Sequence, residues 1–153
     1  FRVANEHMAT AVLRSFLGSV IELRRAPAGG PKMVVTTPAG QIHELGALVV
    51  AALASVAGWN SIYLGPNLPA DEVAGAVLTS GADVLAMSLV HPADDPLLPS
   101  ELSRIRRGLG TSVTIVTGGS ASLGYVDTLQ NINAVQTNDS LSLSEQLAGL
   151  RYG

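Results

Sequence analysis

Met33-Val34-Val35-Thr36-Thr37-Pro38-Ala39-Gly40-Gln41-Ile42-His43-Glu44-Leu45-Gly46 changes character twice. The apolar, β-branched run Met33–Thr36 reads as a buried strand, a short Pro/Gly loop follows, and a helical pattern begins at Glu44. A strand passing through a short loop into a helix is half of a parallel βαβ unit. The loop delivers His43 to the mouth of such a sheet. A neutral imidazole nitrogen there is a good ligand for a borderline transition metal, although a lone His could equally cap the helix or sit in solvent. Gly46, three residues on, lets a bulky group approach the start of the helix.

Working outward, the same alternation runs to the end of the chain. The helix His43–Gly58 is apolar almost throughout (Leu45, Leu48, Val49, Ala52, Leu53, Val56), which predicts deep packing. Strand Ser61–Leu64 stops at Gly65-Pro66, and helix Asp71–Ser80 is entered through Pro69. Strand Val84–Ser88 leads to helix Pro99–Gly108, with Arg104, Arg106 and Arg107 towards its end. Strand Val113–Thr117, helix Ala121–Gln130, a weak strand Ile132–Val135 and a closing helix Leu141–Leu150 complete the pattern. Strands and helices alternating through short loops predict an α/β, doubly wound parallel sheet. Such sheets bind ligands outside the carboxyl ends of their strands. Those ends carry His43 and Gly46 after the first strand, Ser88-Leu89-Val90 at the third and Gly118-Gly119 at the fourth. A Gly-Gly pair alone is ordinary turn chemistry. Together the three ends describe a narrow slot beside a metal ligand.

Upstream, Phe1–Arg25 reads as one helix, with Met8, Val12, Phe16 and Val20 at i+4 spacing and Leu13 and Leu17 beside them. No cap precedes the pattern, and one helix cannot bury such a stripe alone. The expectation is therefore the last helix of a truncated helical bundle at residues 1–27, with the α/β domain at 31–153. Ala26–Pro31 would be the linker. The 153 residues are 47% hydrophobic but 14% charged and 4% aromatic, enough for a core of this kind. No apolar run reaches the ~18–20 residues of a bilayer span, and no signal peptide opens the chain. The absence of cysteine excludes disulfides and zinc–thiolate sites. The cytoplasm is the default compartment. A net charge of -3 argues against this chain itself gripping phosphates. No nucleophile elbow, P-loop or GxGxxG pattern is present. His91, before Pro92, reads as a solvated loop His, and Trp59 as packing.

The three strand-end motifs resemble those of the cobalamin-binding domain family. Gln41-Ile42-His43-Glu44-Leu45-Gly46 is similar to its DxHxxG motif at His43 and Gly46 but not at the first position. Ser88-Leu89-Val90 is similar to its SxL motif with Val for Leu, and Gly118-Gly119 to its Gly-Gly pair. The resemblance spans Lys32 to the end and implies a Rossmann-like, flavodoxin-like five-stranded sheet. It implies that His43 binds cobalt from the lower face while the nucleotide tail swings into a slot bordered by Ser88, Val90, Gly118 and Gly119.

Val34–Gly46, Tyr63–Pro69 and Glu6-His7-Met8-Ala9-Thr10 further resemble the light-sensing, adenosylcobalamin-dependent transcription regulators of the MerR type. By that resemblance Glu6 and His7 would line the upper pocket around an adenosyl group. The bundle's Trp, a second His and a DNA-binding head would lie upstream of Phe1. DNA would be contacted only through that head, and a homo-oligomer is expected of the full-length protein. The ordinary alternative is that Glu6 and His7 are surface polar residues.

The departure at Gln41 bears on function. In methyl-transferring members of the family an Asp at this position partners the ligand His, and a carboxylate raises the basicity of a bound imidazole. Gln accepts a hydrogen bond but cannot take up that charge. Glu44 is expected to point elsewhere or to favour the helix N-terminus. The reading is a non-enzymatic cobalamin photoreceptor module. The alternatives are a corrinoid carrier domain of a methyltransferase system and, less favoured, the cobalamin subunit of a mutase.

Overall fold

The computed structural model describes residues 2–152. Phe1, the first residue of the expected first helix, and Gly153, the last of the expected domain, lie outside them. In chain order the elements are α1 (Arg2–Leu23), β1 (Lys32–Thr36), α2 (Leu45–Val56), β2 (Asn60–Tyr63), α3 (Ala70–Ser80), β3 (Val84–Ser88), α4 (Leu98–Leu109) and β4 (Thr114–Gly118). A 3-10 turn (Ser120–Tyr125), α5 (Val126–Asn131), β5 (Val135–Gln136) and α6 (Ser140–Tyr152) follow.

All neighbouring strands pair in parallel, in the order β2-β1-β3-β4-β5. This is the flavodoxin-like order of a Rossmann-like α/β fold. Its topological switch point lies between β1 and β3, where loops leave the sheet in opposite directions and open a crevice. Alternation along the strands divides the core in two. Val34, Leu85, Met87 and Ile115 pack with Val73 and Val77 of α3 and with Leu102 and Ile105 of α4. Met33, Val35, Val84, Ala86 and Val116 face Ala47, Ala51 and Ala54 of α2, Trp59, and Leu143 and Leu147 of α6. The alanines let α2 lie close to the sheet. Trp59 is 1% exposed and packs, as its sequence context suggests.

Several elements differ from the sequence reading. α2 begins at Leu45 with Glu44 as N-cap, so His43 belongs to the loop and not to the helix. The segment expected as one helix over Ala121–Gln130 is a 3-10 turn followed by α5. The chain there runs close to the β3–α4 loop, and a Cβ at Gly124 would lie 2.2 Å from the Ala93 carbonyl oxygen. The fifth strand is displaced from Ile132–Val135 to Val135–Gln136, because Asn133 takes φ 52° and turns the backbone first. No described helix is long and apolar enough to cross a membrane.

α1 lies against α2 and has no fully buried residue. Its inner side carries Leu17, Gly18 and Ile21, which are half-buried, while Met8, Val12 and Phe16 are 63–67% exposed. The Met8, Val12 and Phe16 part of the stripe read from the sequence therefore faces away from the sheet domain, while Leu17 and Val20 are half-buried.

Candidate functional site

The β1–α2 loop is built before it reaches His43. Gln41 N–H donates to Pro38 O at 3.0 Å, closing a turn in which Gly40 takes φ 88°. Only a residue without Cβ is at ease there. The Thr37 hydroxyl donates to Gln41 O and accepts from Asn67 N–H at 2.8 Å. Gly40 N–H donates to Asn67 Oδ1 at 2.9 Å, which fastens the turn to the loop after β2. His43 emerges exposed from this frame. Around it lie Ile42, Gly46 and Val90, with Thr10 and Arg14 of α1. The exposed His91 stands edge-on to His43, ring centroids 6.0 Å apart.

Beside His43 a cleft of roughly 180 Å³ opens between α2, the carboxyl ends of β3 and β4, and the start of α6. Gly46, Ser88, Val90, Gly118 and Gly119 all line it. The volume is that of a slot for one aromatic ring system, since an apolar cavity of about 150 Å³ accepts benzene. Gly46 and Val90 border both the cleft and the His43 surroundings, so the two are continuous.

The glycines that line this space permit close packing around it in different ways. A Cβ at Gly46 would stand 2.5 Å from Ser88 Oγ, so the helix approaches β3 only because that atom is missing. A Cβ at Gly118 would meet Thr137, at 2.8 Å from Oγ1 and 3.1 Å from its carbonyl oxygen. Gly119 differs from expectation. Its φ is 102°, and a Cβ would lie 2.2 Å from Leu89 O, striking backbone before it could enter the cleft. Gly119 contributes its bare backbone to the lining and is required first by the fold.

Gln41 is 1% exposed and is turned away from solvent. Its Oε1 accepts from Val90 N–H at 2.9 Å and His91 N–H at 3.1 Å, and its Nε2 donates to Pro92 O at 3.0 Å. Its amide is thus engaged with the β3–α4 loop, and the structure records no bond from it to His43. Glu44 is likewise committed elsewhere. Tyr63 OH donates to Glu44 Oε2 at 2.6 Å, and Arg14 pairs with Oε1. Burial, then the hydrogen bond to Glu44 and its charge, raise the Tyr63 hydroxyl above its usual range, partly countered by Arg14. Glu6 and His7 are exposed on α1, one helical turn before Thr10, and do not line the cleft.

The sequence reading did not name Val49, Val50 and Leu53 as cleft-lining residues, nor Thr137–Ser140 and Leu143. The apolar run of α2 pointed to burial without saying against what. Asp139 carried a local signal. Its Oδ1 accepts from Ser142 N–H at 2.7 Å, an acidic cap opening α6. That bond, with a second from the Ser142 hydroxyl, lowers the Asp139 pKa.

An exposed imidazole thus stands at the switch-point crevice, beside an apolar cleft lined by three glycines. The chain belongs to the B12 binding domain family, whose model matches residues 31–137. It is 28% identical over 141 residues to the HTH-type transcriptional repressor CarA of Myxococcus xanthus, covering 92% of this chain and 49% of that protein. It is 29% identical over 124 residues to the HTH-type transcriptional repressor CarH of the same organism, covering 80% and 41%. The chain thus spans about half the length of the curated relatives it matches. Among solved structures, the methanol:cobalamin methyltransferase complex MtaBC of Methanosarcina barkeri shares the fold with a TM-score of 0.68 at 21% identity, covering 80% of this chain and 46% of that one. A cobalamin-binding protein from Desulfitobacterium hafniense does so at 0.64 and 16%, covering 82% and 60%. The family match shows a B12 binding domain.

Proposed function

We propose that this chain is the cobalamin-sensing module of a transcription regulator, with adenosylcobalamin as its working ligand and light as the signal. The observation that carries the reading is the continuity of His43 with a glycine-walled cleft. His43 would hold cobalt through an imidazole nitrogen. The cleft that Gly46 and Gly118 line would take the nucleotide tail, with the Ser88 hydroxyl and the backbone of Gly119 on its walls. The protein supplies an axial ligand, a slot and orientation; the bound cofactor supplies a cobalt–carbon bond that visible light can break.

Glu6 and His7 sit on the helix whose next turns, Thr10 and Arg14, already border His43. That placement supports residues 1–27 as part of an upper-face cap, its exposed stripe completed by further helices. The repressor relatives support a DNA-binding head outside this chain. The commitment of Gln41 to backbone favours the sensor over a methyl carrier, because no carboxylate stands where a carrier would use one.

The test is an absorbance spectrum of the protein with adenosylcobalamin, in the dark and after green light, beside size-exclusion chromatography of the full-length holoprotein. A light-dependent change in elution and operator binding, absent with methylcobalamin, is expected. Identical behaviour in dark and light overturns the photoreceptor reading and promotes the carrier.

A further inference from the structure

The Gln41 amide lies between two loops that are distant in sequence and that together make the site. One carries His43. The other, Val90–Pro92, forms the lip of the cleft and brings His91 edge-on to His43. Two N–H groups point at Oε1 and one carbonyl at Nε2, so only one orientation of the amide satisfies all three. On its far side the same lip is anchored to the 3-10 turn. Tyr125 OH donates to Pro92 O at 3.0 Å, and Ser120 Oγ donates to Val90 O at 3.1 Å. On the side facing the β1–α2 loop the lip hangs on Gln41.

We propose that Gln41 is a positioning residue. Its buried amide clamps the His43 loop to the Val90–Pro92 lip and so holds the proposed lower ligand in register with the mouth of the cleft. This rests on His43 as that ligand, and it assigns Gln41 a task other than partnering the imidazole. A carboxylate in its place would keep acceptors for the two N–H groups. It would also set an oxygen against the Pro92 carbonyl and introduce a buried charge with no cation among the clamp's partners. An acid at position 41 is therefore worse here than the amide. A residue acting as a weakened partner of His43 would show the opposite.

The experiment compares the parent chain with Gln41→Glu, Gln41→Met and His43→Ala, using hydroxocobalamin as the probe. In the cofactor-free protein, Gln41→Met is expected to speed amide exchange at Val90 and His91 while leaving the β3 amides protected. With hydroxocobalamin, Gln41→Met is expected to weaken binding by about 10–100-fold and shift the spectrum away from the histidine-bound form. Gln41→Glu is expected to weaken binding several-fold. Unchanged exchange at Val90 and His91 in Gln41→Met overturns the proposal. So does parent-like or tighter binding by Gln41→Glu with a stronger histidine-bound spectrum. If Gln41→Met does not fold, Gln41→Glu decides on binding. A histidine-bound spectrum surviving in His43→Ala would instead remove His43 as ligand, and the cofactor-free exchange result would still judge the clamp.

Discussion

The Tyr63 hydroxyl donates a 2.6 Å hydrogen bond to the carboxylate of Glu44, the residue that follows His43. Arg14 of α1 holds the other oxygen of the same carboxylate. The end of β2, the start of α2 and the middle of α1 therefore meet at one acid. Among the described residues this is the one ion pair joining α1 to the sheet domain. The turn that presents His43 is thereby tied to the helix proposed to cap the other side of the ligand.

The Tyr63–Glu44 bond makes stability depend on pH in a stated direction. Folding raises the Tyr63 pKa above 10.0, chiefly by burial and then through Glu44. The folded chain keeps a proton that the unfolded chain releases, so this contribution is whole below pH about 10 and falls as pH rises further. Denaturant unfolding between pH 7 and 11 should show that decline, and Tyr63→Phe should flatten it. Tyr63→Phe should also cost about 1 kcal/mol at neutral pH for the lost hydrogen bond.

His43→Ala should leave the fold intact, because the ring is exposed and makes no hydrogen bond among the described residues. Stability should stay within about 0.5 kcal/mol of the parent. The variant should bind cobalamin with its own base on cobalt, or not at all. An unchanged histidine-bound spectrum would count against His43.

Gly46→Ala should weaken cobalamin binding by about tenfold or more, since an extra methyl in a fitted pocket is worth 1–3 kcal/mol. The new Cβ would stand 2.5 Å from Ser88 Oγ and must push that hydroxyl into the cleft or the helix away from the sheet. Gly119→Ala should fail differently. With φ at 102° and Leu89 O at 2.2 Å, its melting temperature should fall even without ligand. Thermal melts beside spectroscopic titrations separate the two outcomes.

Asp139→Ala should loosen the first turn of α6, whose Ser140 and Leu143 line the cleft. The Asp139 pKa is lowered first by the Ser142 N–H, so its contribution is present above the usual carboxylate range and lost as pH falls through the lowered value. Cobalamin binding should weaken in Asp139→Ala and be largely kept in Asp139→Asn, which caps as well. Equal binding by both variants would exclude α6 as a wall that matters.

Local chemistry was legible in the sequence where it was strong. Val84–Ser88 is a strand end to end because its whole burial is apolar up to one hydroxyl, and the glycines stand where strands end. The sequence marks His43, Gly46, Ser88, Val90, Gly118 and Gly119 by strand ends and motif resemblance, and the fold gathers them at one crevice. The partners of Gln41 were not legible, because they lie 49 to 51 residues away and are backbone atoms, which leave no mark in side-chain identity. Nor was the conflict at Gly119, which depends on how closely β4 turns back on Leu89. The α6 wall had to wait for the tertiary packing that brings Leu143 under β4.

The seam at Ala26–Gly30 has a further consequence. α1 contributes nothing fully buried, and the bond that holds the seam to β2, Asn60 Nδ2 to Pro27 O at 3.3 Å, is exposed. A protease given the cofactor-free chain should cut there first and trim it to a resistant fragment starting near Pro31. Cobalamin gripped from both faces would slow that cut, so the digestion pattern itself would report whether α1 has closed over its ligand.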